Sequence, residues 1–538
     1  MKRSSPMYDI LFEKVTVVDG TGAAPYQADV AVAGERIAAI APALRVNASV
    51  VVAGDGLVLA PGFIDIHSHT DANIFQNPFA ESKLLQGVTL DVVGNCGLSS
   101  FPVTDKRRRM LEEYLAMHEF FFPEGGISWS DLAGFAEQLE KVGIGVNIAP
   151  LVGHGALRIA IMGMENRRPD RQEMEKMKRL LEEMLSQGAW GMSTGLIYPP
   201  GSFAQAGELI ELAEVLAHSR ALYASHIRGE GATLLAAIEE ALEIGRKSGV
   251  TVEVSHLKAL GKANWGRGTE ALKRLEKARQ EGIDVGADQY PYEATETTLS
   301  VLLPDWALAG GAQETGNRLA DERLLPQLEP EIKRLIAARG DAATIMFTGI
   351  ASEKLRFLSG KTLADAAALW NLTPEATALR ILREDLSAHA AFFSLAAADV
   401  EAIMRSDCVA VGSDGLALCA AAANVNTHPR SYGTFPRVLE TGFREKNLLP
   451  LEKAVYKMTG LPAHRLGLTD RGIIRTGSIA DLTLFAPSKI AARATFTAPH
   501  QYPAGIRMVT VNGQIAVADG KLTGVLAGRA LKKRGKGL

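Results

Sequence analysis

GFIDIHSHTD, residues 62–71, is a short apolar run that ends in two histidines, His67 and His69. Alternate residues of a strand point to the same side, so both rings can reach one place at the strand's end. Seven further runs have the same texture: VTLDVVGNC (88–96), IGVNIAPLVGH (144–154), AWGMSTG (189–195), ALYASH (221–226), TVEVSH (251–256), IDVGADQY (283–290) and CVAVGSD (408–414). Amphipathic stretches lie between them. In DRQEMEKMKRLLEEMLSQ (170–187), Met174, Met177, Leu180, Leu181 and Met184 recur at intervals of three and four, the spacing of one buried helical face. ATLLAAIEEALEIGRKS (232–248) also reads as a helix. Strand and helix alternating eight times predict an α/β fold, a (β/α)8 TIM-like barrel.

Both chain ends have another texture. YDILFEKVTVVDGTG and ADVAVAGERIAAIAP alternate apolar and polar residues and break at Gly, as half-exposed strands do. GSIADLTLF (477–485) and GIRMVTVNGQIAVADGKLTG (505–524) repeat the pattern. So few strands bury their apolar faces poorly alone. Residues 1–60 and 468–538 are therefore expected to form one small β-sandwich domain, with residues 61–467 as the barrel. The runs ending at Tyr290 and Asp414 are far apart, and the gap predicts an insertion at about 295–405. Its charged helical stretch 310–340 is expected to form a lid or small cap over the mouth, because long loops after barrel strands lie on the active-site face.

Composition narrows the function. A formal net charge of −3 over 538 residues argues against a nucleic-acid partner. No run reaches the ~18 apolar residues of a membrane span. Three cysteines, Cys96, Cys408 and Cys419, are no disulfide framework. The opening MKRSSPMYDILFEKV has no apolar segment behind its basic residues, so the expected setting is cytoplasmic.

Barrel chemistry sits at the C-terminal ends of the strands. Here those ends carry His67, His69, Cys96, His154, His226, His256, Tyr290 and Asp414. Five of the eleven histidines fall at the ends of runs. Imidazole, thiolate and carboxylate together are a ligand set for zinc. Each position alone reads equally well as core packing, since a buried Cys is usually an inert small hydrophobe. Their shared register is what points to a metal.

The chain resembles the amidohydrolase superfamily and, within it, the N-acyl-D-amino-acid deacylases (D-aminoacylases). The resemblance rests on PGFIDIHSHTD (61–71), QGVTLDVVGNCG (86–97), GAWGMSTGLIYPPG (188–201), SHIRGEG (225–231), SHLKALG (255–261), DQYPYEA (288–294), GSDG (412–415) and HPRSYGTFPRVL (428–439). It implies that His67, His69 and Asp414 hold one metal position and that Cys96, His226 and His256 hold a second, better occupied one. Cys96 ligates or bridges where many superfamily members use a carboxylated lysine. One tightly bound Zn2+ is expected, with room for two. Asp414 would serve as base and then acid in hydrolysing the amide of an N-acyl-D-amino acid, a small-molecule substrate. Lys258, Arg430 and Tyr290, or Tyr292 in its place, would hold the substrate carboxylate. Ser193 and Tyr198 would line the pocket, and His154 would face the substrate or support the site from behind. Cys408 and Cys419 match no ligand and read as packing residues.

Two other readings stay open on sequence. The same metal chemistry would serve a cyclic-amide hydrolase of the dihydroorotase or hydantoinase kind, against which the cysteine at 96 counts. A barrel without catalysis, acting as a binding protein, would tend to lose ligands, and none is missing here. The segment EATETTLSVLLPDWALAGG (293–311) has no Lys or Arg and carries Leu299, Val301, Leu302, Leu303, Trp306 and Leu308. If it folds over the mouth, it predicts a preference for hydrophobic D-side chains, unless a cation such as Arg228 or Arg267 arrives from elsewhere.

Overall fold

In the computed structural model, which describes residues 7–422 and 426–533, eight parallel strands follow one another around a barrel. They are Phe63–Asp65, Val88–Val93, Asn147–Gly153, Gly191–Gly195, Leu222–His226, Thr251–Val254, Val285–Gln289 and Val409–Val411. Each run picked from the sequence contributes one strand. Nearly every strand residue is buried, as expected where helices cover one face of the sheet and the barrel core the other. The helix Arg171–Ser186 opens on a capping box, Asp170 with Glu173, and buries Met174, Met177, Leu181 and Met184; Leu180 stays half-buried.

The first and last strands meet beyond their regular ends. Asp414 N–H donates to the His67 carbonyl (2.7 Å) and His69 N–H to the Gly415 carbonyl (3.0 Å). Beneath this seam lies Lys83, fully buried, whose ammonium donates to Asp65 Oδ2 (2.8 Å), Ser413 Oγ (2.8 Å) and the Gly415 carbonyl (3.1 Å). Asp65 is on the first strand, and Ser413 and Gly415 follow the last. Three ammonium hydrogens thus find three acceptors across the closure.

Strands from both chain ends join one nine-stranded sheet. Val58–Pro61 pairs antiparallel with Leu482–Phe485, and Met7–Val17 pairs with three neighbours, so its apolar face is covered from both termini. Asn147, at the start of the third barrel strand, donates to Asp481 Oδ2 (3.2 Å) and accepts from Asn512 (2.9 Å), tying this sheet to the barrel.

Between the seventh and eighth barrel strands the chain builds a cap. Three antiparallel strands, Ala294–Thr298, Ile345–Phe347 and His389–Phe393, pack with helices that include Ala312–Ala320 and Leu325–Arg339 around a separate apolar core. The excursion ends near Phe393. The next helix, Ala397–Arg405, returns to the barrel's outer ring, where Asp399 accepts from Gly266 N–H (2.8 Å). No described helix is long and apolar enough to cross a membrane.

Removing one partner of a buried ion pair leaves the other uncompensated. Lys83→Met is therefore expected to destabilise the fold by about 3–5 kcal/mol, read by urea unfolding. The double variant Lys83→Met/Asp65→Leu should recover part of that loss, because both charges are then gone.

Candidate active site

The C-terminal ends of the barrel strands surround a cavity of ≈740 Å3, open to solvent at its mouth and roofed by cap residues Thr295, Glu296, Thr297, Arg339 and His389. Six side chains named from the sequence converge in or beneath it. Ligand atoms of His67, His69, Cys96 and Asp414 lie within 4.8 Å of one another, and so do those of Cys96, His226 and His256. Cys96 Sγ is the shared centre, 3.4 Å from His67 Nε2, 3.6 Å from His226 Nδ1 and 3.5 Å from His256 Nε2. Zinc bonds of about 2.3 Å to sulfur and 2.0–2.1 Å to nitrogen, at a tetrahedral angle, put the two ligand atoms about 3.6 Å apart. The donor set fits a metal in both type and spacing. Burial alone would raise the Cys96 thiol pKa, but His67 and His256, with hydrogen bonds from His226 and His256, pull it well below the ordinary thiol value. The thiolate is the form that ligates.

The backbone is bent to make this meeting. Cys96, His256 and Asp414 all have left-handed backbone, with φ of 53°, 37° and 51°. Such conformations are uncommon outside glycine and persist where surrounding contacts over-determine them. The turn at Cys96 is held on both sides by Ser193, whose hydroxyl donates to the Gly94 carbonyl and accepts from Gly97 N–H. A Cβ on Gly94 would lie 2.2 Å from the Leu151 carbonyl oxygen, so the turn also needs glycine there. His256 is held by Asp288, which accepts from its N–H (2.8 Å) and places its other oxygen 3.2 Å from His67 Nδ1. A carboxylate behind an imidazole orients the ring toward a metal.

Asp414 lies between the two histidines of the opening motif and Arg430. Its Oδ1 is 3.1 Å from His69 Nε2 and 3.4 Å from His67 Nε2, and its Oδ2 is 2.7 Å from an Arg430 nitrogen. Burial would push its pKa up, but Arg430 and both histidines hold it well below the usual carboxylate range. Tyr290 lines the same cavity, and its buried hydroxyl has no hydrogen-bond partner among the described residues. Arg430 Nε is likewise unpartnered. Lys258 also lines the cavity, its ammonium donating to Glu230 Oε1 (2.5 Å) and lying 2.8 Å from His256 Nδ1.

Four expectations change. His154 does not face the cavity. The chain turns into the helix His154–Met162 at that residue, and the ring bonds Glu208 (2.8 Å) beside Arg158, among the helices behind the barrel. Ser193 is fully buried under the Cys96 turn and does not line the cavity; Tyr198 does. Tyr292 is packed against His428 and Phe496 beneath Arg437, leaving Tyr290 as the site tyrosine. Leu299, Leu302 and Leu303 are buried in the cap's own core, and the cap residues over the metal cluster are polar instead. Arg228 is paired with Glu240 and lines no part of the cavity, nor does Arg267, but Arg339 does. Cys408 is buried and Cys419 half-buried, and neither belongs to the ligand groups.

Sequence reasoning missed Asp288, Glu230 and Arg339. Asp288 had a signal, since it stands two residues before Tyr290 in the same signature. Glu230 lies within SHIRGEG, four residues after His226. Arg339 had none, because its place over the cavity depends on how the cap folds.

A family model described as amidohydrolase family matches residues 50–517. The chain is 36% identical over 506 residues to N-acyl-D-glutamate deacylase of Alcaligenes xylosoxydans xylosoxydans, covering 94% of this chain and 93% of that protein. It is 35% identical over 535 residues to the D-aminoacylase of the same organism, covering 98% of each. The crystal structure of N-acyl-D-glutamate deacylase from Bordetella bronchiseptica, complexed with zinc and a phosphonate mimic of the tetrahedral intermediate, superposes with a TM-score of 0.82 at 34% identity, over 98% of this chain and 100% of that one. Hydantoinases share the fold only, with a TM-score of 0.55 and 15% identity for the Arthrobacter aurescens enzyme. The chain belongs to the amidohydrolase family and groups there with the N-acyl-D-amino-acid deacylases.

Because Cys96 is common to both ligand groups, Cys96→Ala should leave less than one zinc ion per chain after dialysis, measured by elemental analysis. Cys408→Ala, outside both ligand groups, should retain the wild-type metal content.

Proposed function

We propose that this protein hydrolyses the amide bond of N-acyl-D-amino acids, releasing a carboxylic acid and a free D-amino acid. One juxtaposition carries the reading. In a single cavity the Cys96, His226 and His256 cluster faces, across Asp414, two buried donors without partners, on Tyr290 and Arg430. The D configuration is proposed from the relatives, which are deacylases of N-acyl-D-amino acids. Cys96, His226 and His256 would hold the tightly bound zinc ion, and His67, His69 and Asp414, sharing Cys96, a second. In a related D-aminoacylase with a binuclear centre, one metal activates and the second attenuates. When bound there, zinc would supply a Lewis acid for the acyl carbonyl and lower the pKa of a bound water to about 7.

The residues of the chain do the rest. Tyr290 and Arg430 Nε bind the substrate's α-carboxylate, with the Lys258 ammonium beside them, and this places the scissile carbonyl over the cluster. Burial raises the Tyr290 phenol well above its ordinary pKa, so it remains a donor. Asp414, kept anionic by Arg430, accepts the proton of the attacking water and then delivers it to the leaving nitrogen. Linear substrates use this clamp fully. Hydantoins carry no free carboxylate for this clamp, so the hydantoinase reading is disfavoured.

The side chain of the amino acid would lie toward the cap. There Arg339 lines the cavity with no hydrogen bond or ion pair among the described residues, its guanidinium stacked 5.3 Å over Phe392. A half-buried cation without an ion-pair partner favours an anionic group, so acidic D-amino acids are proposed in place of the hydrophobic ones expected from sequence.

Two outcomes test the proposal. Asp414→Asn should lower kcat by at least about 10²-fold with little change in KM, since an amide cannot take the proton. Retention of most activity would remove Asp414 from this role. For the side chain, kcat/KM should be higher for N-acetyl-D-glutamate than for N-acetyl-D-leucine, and Arg339→Leu should reverse the order. A wild-type preference for leucine would exclude Arg339 as the determinant.

A further inference from the structure

A second cavity adjoins the first. It encloses ≈450 Å3, mouth included, and its walls are mainly apolar: Met117, Met164, Ile197, Val301, Leu308 and Leu386. His118, Ile197 and Tyr198 line both cavities, so they form a shared partition. The Tyr198 ring stands edge-on to His226 (5.2 Å) and to His118 (5.0 Å), and its hydroxyl bonds Thr297 of the cap (2.8 Å). The space therefore lies behind the Tyr198 ring, which separates it from the candidate ligand His226.

Its position around the barrel says what would enter it. Its residues follow the second, third and fourth strands, with Val301, Leu308 and Leu386 added by the cap. Lys258, Tyr290 and Arg430 follow the sixth, seventh and eighth. In an eight-stranded barrel those arcs face each other across the mouth. The metal cluster lies between them. In an N-acyl amino acid the acyl chain and the α-carboxylate leave the scissile bond in opposite directions. With the carboxylate on the clamp and the carbonyl at the cluster, the acyl chain is directed at this apolar cavity. His118 suits such a wall, since burial pushes its pKa down to about 3 and leaves the ring uncharged.

Resting on the deacylase reading, we infer that the cavity behind Tyr198 is an acyl-chain site and that the enzyme favours medium-length aliphatic acyl groups over acetyl. An acetyl methyl leaves most of the space unused. Val301 and Leu308 belong to the leucine-rich segment expected from sequence to select the amino-acid side chain. The structure gives these two residues a different part of the substrate.

The test is a series of N-acetyl, N-butanoyl, N-hexanoyl and N-octanoyl derivatives of one D-amino acid. Each buried methylene contributes roughly fourfold, so kcat/KM should climb by about that factor per carbon until the cavity is full. In Leu308→Trp and, separately, Met164→Trp, which fill the space, the hexanoyl/acetyl ratio should fall toward one. The ratio is taken within each variant, so a general loss of activity does not move it. A flat or falling series in the wild type, with the acetyl derivative turned over, overturns the acyl site and leaves the deacylase reading intact. If no N-acyl-D-amino acid is hydrolysed, the deacylase reading fails, and calorimetry with octanoate decides the cavity alone. Octanoate binding that Leu308→Trp abolishes supports an aliphatic-chain site, and no binding to the wild type overturns it.

Discussion

The site depends on the seam where the first barrel strand meets the last. Two main-chain hydrogen bonds, Asp414 to His67 and His69 to Gly415, bring the two ends of the barrel sheet together just past their regular strands. They also set the relation of the opening histidine pair to the carboxylate between those rings and Arg430. Closure of the fold and assembly of the site are thus one event. Lys83 sits directly below, its charge shared among Asp65, Ser413 and the Gly415 carbonyl. A buried ammonium is costly without such partners, and with them it makes the seam specific. It also explains why Ser413 is not chemically available, since its hydroxyl is committed to Asp65 and Lys83.

Around that seam, Ser193 and Asp288 supply rigidity from behind the cavity and Glu230 from its wall. Ser193 brackets the Cys96 turn, and Asp288 holds both the His67 ring and the His256 backbone. Glu230 lies 3.1 Å from His256 Nδ1 and neutralises Lys258. Three candidate ligands or reacting groups keep left-handed backbone under these restraints. Strain of this kind persists at functional sites only when the scaffold outweighs it, and here the scaffold is the barrel.

Much of this was legible in the sequence, for definite reasons. Period-2 and period-3.6 patterns report burial directly, so eight strands and the helix Arg171–Ser186 could be read off. Residues ending strands share a barrel mouth, which is why His67, Cys96, His226, His256 and Asp414 could be grouped without coordinates. His154 obeyed the same rule and was misplaced, because its strand stops one residue earlier and the ring starts a helix. Ser193 stands behind the cavity wall and not in it, because which face of a strand end meets the cavity is decided by pleat and twist. The cap was the least legible part. Its leucines form a core that exists only once its helices fold over its own sheet, and that folding also brings Arg339 to the cavity.

With a cation held at the barrel mouth by one thiolate and two imidazoles, X-ray absorption at the zinc edge of the wild-type protein, loaded with one equivalent of zinc, should show one sulfur scatterer at about 2.3 Å and the remaining neighbours, nitrogen or oxygen, at about 2.0–2.1 Å. The sulfur shell should be absent in Cys96→Ala. A shell of nitrogen and oxygen alone in the wild type would contradict that ligand set.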